Sequence, residues 1–373
     1  MRTRRFKLER FFAEFEFNVE HILCGSDCES LAIGDLLALE PEAEERFGQL
    51  RLGYTESQGS PSLRGEIARI YQTISPEEVI VHAGAEEGIF LFMHAVLDPS
   101  DHVIVHWPCY QSLFEVAQSI GCEVTRWQAR EEAGWALDPD ELERHLRPNT
   151  KAIVLNVPHN PTGYLMSRDA FAAVNRIARE RSVVLFCDEV YRESEYDPAD
   201  RLPAACDLGP HAVSLGVMSK TYGLPGLRLG WIAARDERLL SKIAERKDYT
   251  TICTSAASEF LAELALRHRE KIVARNLRII SENLQILDRF FERHGDLFSW
   301  VRPTAGSIAF PRLLEGDIES FWRAAVDEAG VLLLPGSVFD DAGDHFRLGF
   351  GRKSLPAAVE RLEAFLHSYH FGG

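Results

Sequence analysis

Ser219-Lys220-Thr221-Tyr222-Gly223-Leu224-Pro225-Gly226-Leu227-Arg228-Leu229-Gly230 decides how this 373-residue chain is read. Residues 212–218 ahead of it are mostly small or apolar and predict a buried strand. A lysine at the end of such a strand is partly desolvated, which lowers its pKa and frees the neutral amine to attack a carbonyl. Arg228 stays charged in almost any setting and suits a phosphate or carboxylate. Taken alone, the string also fits a surface turn with two solvated cations, so its neighbours must decide.

Those neighbours alternate. Short apolar runs at 78–82, 102–106, 123–127, 152–156, 183–187 and 229–233 predict strands. Helical spacing occurs at 63–71, 87–97, 110–120 and 168–181 between them. Strands and helices in this rhythm imply a largely parallel sheet covered on both faces, an α/β fold. From residue 235 the pattern changes to long helices at 237–249, 256–268, 270–294, 317–329 and 354–369. Short strands at 298–301, 307–311 and 345–350 make this a smaller α+β part, with the helix from Glu270 as connector.

The apolar fraction of 46% and charged fraction of 26% are those of a globular protein, and the net charge of −16 argues against nucleic-acid or anionic-membrane binding. The N-terminus intersperses Phe with Glu and Arg and has no apolar core for an export signal, and no window is long and apolar enough to span a membrane. Seven scattered cysteines without C-x-x-C or zinc spacing imply reduced thiols, no metal and a cytoplasmic location.

In such sheets ligands sit beyond the C-terminal ends of the strands, and each suspicious residue follows a predicted strand. Gly84-Ala85-Glu86 opens a helix whose free amides suit a phosphate, although an ordinary strand-to-helix turn fits as well. Tyr110 either stacks on a planar ligand or packs in the core. Residues 156–163, Asn-Val-Pro-His-Asn-Pro-Thr-Gly, form a rigid polar loop in which either His159 or Asn160 faces a ligand, Asn160 being favoured. Asp188, with Tyr191 shortly after it, is either an exposed strand-end acid or a carboxylate with a functional partner.

Together these are the parts of a pyridoxal phosphate enzyme. Lys220 would bond to the cofactor aldehyde, and Asp188 would keep the pyridine nitrogen protonated. Asn160 and Tyr191 would hydrogen-bond the ring 3-oxygen and Tyr110 would stack on the ring. The amides of Gly84, Ala85 and Glu86, with Ser219 and Arg228, would hold the phosphate.

Residues 156–163, 188–191 and 219–230 resemble the three signature blocks of the class I/II aminotransferases, fold-type I pyridoxal phosphate enzymes. Tyr54, Gly59, Arg64, residues 84–86, Tyr110, Pro335-Gly336 and Phe346-Arg347-Leu348 extend the likeness over roughly residues 50–350. The resemblance implies a large cofactor-binding domain (50–269), a small C-terminal domain (270–373) and an N-terminal segment (1–49) joining it. It also implies a homodimer in which Tyr54 reaches the partner's cofactor phosphate, with Arg347 and Asn160 binding the substrate and Arg347 taking its α-carboxylate. The implied activity is transfer of an amino group between an L-amino acid and a 2-oxo acid.

Two positions depart from that pattern. Val217 stands where the family commonly has a phosphate-binding serine, so Ser219 substitutes or one donor is lost. Near the N-terminus, Asp27 and Glu29 replace a Gly-rich apolar stretch and would meet a cationic substrate group; alternatively, Ser30 caps a helix over 31–39. A narrower likeness, in residues 110–113, 158–161 and 222–228, is to capreomycidine synthase, which cyclises a hydroxylated arginine. Lyase, cyclase, decarboxylase and oxidase chemistry share the same lysine. A noncatalytic cofactor-binding sensor is disfavoured because no basic helix-turn-helix precedes residue 50. A scaffold would be free to lose Lys220 or Asp188, and both are present.

Overall fold

Strands apolar along their whole length must be covered on both faces. In the computed structural model, which describes residues 3–369, seven strands form one sheet, all of them largely buried except the polar edge strand Glu123–Gln128. They are β1 (Val79–His82), β2 (His102–Trp107), β3 (Glu123–Gln128), β4 (Thr150–Asn156), β5 (Val184–Asp188), β6 (Ala212–Val217) and β7 (Gly230–Ala234), in the order β1-β7-β6-β5-β4-β2-β3. All run parallel except β7, which is antiparallel to both its neighbours. Residues 1–2 and 370–373, the extremes of the expected 1–49 and 270–373 segments, lie outside the described residues.

The period-2 alternation along each strand sorts side chains to the two faces. Val103, Val105, Val154 and Phe186 pack with α2 (Gly84–Val96) and α3 (Ser112–Ile120) on one side. Ile104, Ile153, Leu155 and Leu185 pack with α4 (Arg168–Glu180) on the other. Each fully buried Val, Leu or Ile here contributes roughly 1.5–3 kcal/mol. Ser167 and Asp236 cap the helices that follow them by accepting backbone N–H bonds.

Three local expectations need correction. The helix expected over 31–39 is only Ile33–Leu37, and Ser30 does not cap it; the Asp35 carboxylate accepts the Ala32 N–H at 3.1 Å instead. Pro139–His145 is an unexpected short helix, started by Asp138 accepting from the Asp140 N–H. Most consequential is α1 (Lys7–Phe15), placed on no element from the sequence although Leu8, Phe11, Phe12 and Phe15 have helical spacing. Its first N–H is satisfied from outside: the Gln111 side chain accepts from Lys7 N at 2.8 Å.

The long helix α5 (Arg269–Arg293) carries Ile272 and Val273 into a cluster with Leu63 and Trp231. Its later turns carry Leu284, Leu287 and Phe291 into another with Phe346 and Leu348. The N-terminal segment is threaded through this latter region. His21–Ile22 pairs in parallel with Val331–Leu332, and Gly349 N and Glu29 N extend the hydrogen bonding to Leu23 O and Gly351 O. Among the described residues no helix is long and apolar enough to cross a membrane, and no group of His, Cys, Asp or Glu could hold a metal ion. The seven cysteines are free.

Candidate active site

Register explains why distant motifs meet. His82 at the end of β1 and Val217 at the end of β6 both pair with Gly230 at the start of β7. Because β7 runs backwards, its entry lies at the edge where its neighbours exit. Gly84, Lys220 and Arg228 therefore share one end of the sheet. One strand further, Asn156 at the end of β4 pairs with Asp188 at the end of β5. A cavity of about 550 Å³ opens over this edge. It is lined by Ala85, Glu86, Tyr110, Asn160, Asp188, Tyr191, Ser219, Lys220, Arg228 and Arg347, all expected from the sequence. Tyr54 lies elsewhere: it is 95% exposed and lines nothing in this chain.

Lys220 is half-buried, and its Nζ donates to Ser26 Oγ at 2.7 Å. Burial pulls its pKa below the usual lysine value, with nearby Asp27 opposing. Ser26 also accepts at its carbonyl from Tyr191 Oη at 3.1 Å. Arg228, the second cation of the motif, is exposed but lines the cavity in a left-handed backbone conformation (φ 47°). Its guanidinium crosses Gly84 so closely that a β-carbon there would lie 2.7 Å from Nη2. Gly84, at φ +76°, is favoured by its left-handed conformation, and any side chain there would also push the Arg228 guanidinium aside. Val217 presents an apolar side chain to the cavity, whereas Ser219 is buried and lines it.

Asp188 is 5% exposed, which rules out a solvated strand-end acid. Its Oδ1 accepts from Val190 N, and Asn156 donates to its backbone oxygen at 2.9 Å. Burial pushes its pKa up to about 7, with the Val190 amide and Lys220 opposing. Folded protein thus binds this proton more tightly than the unfolded chain, whose Asp titrates near the ordinary 3.8. Across about pH 4–7 folding retains a proton that unfolding releases, so this group's contribution to stability falls as pH rises. In thermal melts of cofactor-free protein, Asp188→Asn should gain on the wild type by several degrees between about pH 4.5 and 7.5; parallel pH curves would contradict the assignment.

Arg347 is 1% exposed, so it is no surface salt bridge. Nη2 donates to Cys24 O at 2.9 Å and Nη1 to Asn160 Oδ1 at 3.2 Å, while Nε is buried without a partner. Asn160 is fixed from behind, its N–H donating to Asn156 Oδ1 at 2.6 Å. His159 points away from the cavity and bonds Pro108 O and Thr162 Oγ1, so of the two loop candidates only Asn160 faces the space. Arg352 is already engaged, clasping Asp27 Oδ1 at 2.8 and 3.1 Å. Asp27 is thus not a free acid. Glu29 lies off the cavity, accepting from Lys353 N.

The sequence reading missed the roof. Leu8, Glu9, Phe12 and Glu16, from α1 and its C-terminal cap, line the cavity. The helix is tied to α3 by Gln111 and by Arg4–Glu115, and to residues 337–340 by Lys7 bonding Ser337 O and Asp340. Its apolar spacing was a usable signal for a helix. That it covers the cavity follows only from these long-range contacts. Tyr110 meets it, donating its hydroxyl to Glu9 Oε1 at 3.0 Å.

The family described as aminotransferase class I and II matches residues 27–362. Capreomycidine synthase from Streptomyces vinaceus is 29% identical over 365 residues, covering 95% of this chain and 93% of that protein. An aspartate aminotransferase from Geobacillus stearothermophilus is 27% identical, covering 84% of each chain. Among solved structures, a PLP-dependent aminotransferase from Streptococcus suis superposes with a TM-score of 0.94 at 33% identity over the whole of both chains.

Proposed function

This chain belongs to the aminotransferase class I and II family of pyridoxal phosphate-dependent enzymes, and on that footing we propose that it moves an amino group between an L-amino acid and a 2-oxo acid. The observation that carries the reading is the meeting of Lys220, Asp188, Asn160, Tyr191 and Arg347 around one cavity at the sheet edge. The residues suit the cofactor. They offer a desolvated amine, a buried carboxylate, a helix N-terminus with an adjacent arginine, and a buried guanidinium nitrogen without a partner.

Pyridoxal phosphate supplies an aldehyde that condenses with amines and a ring that draws electrons away from the substrate Cα. Asp188 would hold the ring nitrogen protonated, and that cation would bring the carboxylate pKa back down. Asn160, whose Oδ1 accepts from Arg347, and Tyr191 would hydrogen-bond the ring 3-oxygen. The amides of residues 84–86, Ser219 and Arg228 hold the phosphate, Val217 leaving it without the donor common at that position. Arg347 grips the substrate α-carboxylate, which fixes the Cα–H bond relative to Lys220. Lys220 would be the base that takes the proton from the substrate Cα, holding it as an ammonium for redelivery.

A division into a cofactor-binding part, 50–269, and a smaller part from 1–49 and 270–373 accompanies this reading. So does a homodimer, because Leu52, Tyr54 and Tyr249 stand 86%, 95% and 93% exposed. Sedimentation at micromolar concentration should give twice the 42.1 kDa chain mass, and Tyr54→Ala should weaken cofactor retention; a monomer that retains cofactor fully would refute the arrangement. A second reading, cyclisation or elimination from the same Cα, is favoured by the likeness to capreomycidine synthase. Incubation with single L-amino acids and an isotopically labelled 2-oxo acid separates the two. Labelled amino acid marks transfer, whereas released ammonia or a cyclic product without it marks the second reading.

A further inference from the structure

We propose that the substrate side chain ends in a cation, a guanidinium or an ammonium, received by Glu9 and Glu16 under the roof of the cavity. The proposal rests on the reading of this cavity as an amino-acid site. Five carboxylates and four cations line it. Asp27 and Arg352 neutralise each other directly. Asp188, Lys220, Arg228 and Arg347 have assignments to cofactor and α-carboxylate. Glu86 sits at the first turn of α2, accepting from Ser112 Oγ at 2.7 Å. Two acids are left over, Glu9 and Glu16, and neither joins an ion pair among the described residues. Among the described residues the Glu9 carboxylate accepts only the Tyr110 hydroxyl, and the Glu16 carboxylate accepts no hydrogen bond.

Their placement is specific. Glu9, Phe12 and Glu16 fall at positions i, i+3 and i+7, one face of the helical turn, and all three line the cavity. Phe12 lies 5.9 Å from Arg347 Cζ, so this face runs beside the carboxylate subsite. Glu16 is half-buried, and burial raises its pKa against the pull of Arg352, a cation already held by Asp27.

An independent observation shows that the cavity expects a ligand. Arg347 is 1% exposed, lines the same space, and leaves Nε buried without an acceptor. An anionic group at Arg347 and an unmatched acidic pair on α1 together describe a molecule with a carboxylate at one end and a positive charge at the other. Filling the cavity with a neutral side chain would strip water from half-buried Glu16 without replacing it, and an acidic side chain would meet like charge from both glutamates. A basic L-amino acid satisfies both ends.

The test is calorimetric titration of the holoenzyme with L-arginine, L-lysine, L-citrulline and L-aspartate. Citrulline matters most, because it keeps the shape of arginine and removes the charge. Arginine or lysine should bind at least about tenfold more tightly than citrulline, aspartate weakest, the better of the two bases identifying the cation. In the Glu9→Gln/Glu16→Gln double variant the preference over citrulline should shrink to within about threefold, with the visible absorbance of the bound cofactor unchanged. Equal affinity for arginine, lysine and citrulline in the wild type, or a preference that survives in the double variant, overturns the proposal while leaving the enzyme reading intact. A holoenzyme whose cofactor absorbance responds to no amino acid overturns both.

Discussion

Lys220→Ala should lower turnover by about 10⁴-fold or more, because one amine serves both as the attachment point and as the base at Cα. The variant should still fold. Lys220 is half-buried and its one hydrogen bond, to Ser26 Oγ, is replaceable by water. It should also still take up the cofactor, since Asp188, Arg228 and the amides of residues 84–86 remain. Dialysis separates the two roles of the lysine: the wild type keeps its visible absorbance, while the variant loses it with time because nothing covalent retains the cofactor. Wild-type turnover in Lys220→Ala would remove the chemical basis of the proposed function.

Arg347→Ala should lower kcat/KM by about 10²–10⁴-fold, the range expected for losing two charge-assisted hydrogen bonds from a buried guanidinium. Arg347→Lys should recover only part of this, since an ammonium cannot present two parallel donors to a carboxylate. The side chain also donates to Cys24 O and Asn160 Oδ1, so some stability will be lost with it. Thermal melts of both variants distinguish that loss from loss of substrate binding. A folded Arg347→Ala protein with kcat/KM within about threefold of wild type for every amino acid would exclude the carboxylate role.

The inner strands were legible because each is a short, mostly apolar run between turn signals, and a parallel sheet must hide both faces, whereas the edge strand Glu123–Gln128 is largely polar. Strand ends at Asn156, Asp188 and Val217 then pointed to one edge of the sheet. The direction of β7 was not legible, since Trp231 to Ala234 reads the same whichever way the strand runs; register, not composition, brings Arg228 to Gly84. The roof was out of reach for a different reason. Leu8, Phe11, Phe12 and Phe15 declare a helix, but its seat depends on Gln111, Glu115 and Asp340, more than a hundred residues away. Asp27 and Glu29 looked like the free acids because the partners that occupy them, Arg352 and the Lys353 amide, come from the far end of the chain.

The position of α1 has a consequence for how this protein can diversify. The helix belongs to no strand pairing; Leu8, Phe11, Phe12 and Phe15 seat it on the core, while Glu9, Phe12 and Glu16 reach the cavity from it. Substitutions there alter what the cavity admits without disturbing the sheet edge that carries Lys220 and Asp188. The polar face of residues 9–16 can therefore drift toward new side chains while its apolar face and the sheet edge beneath stay fixed.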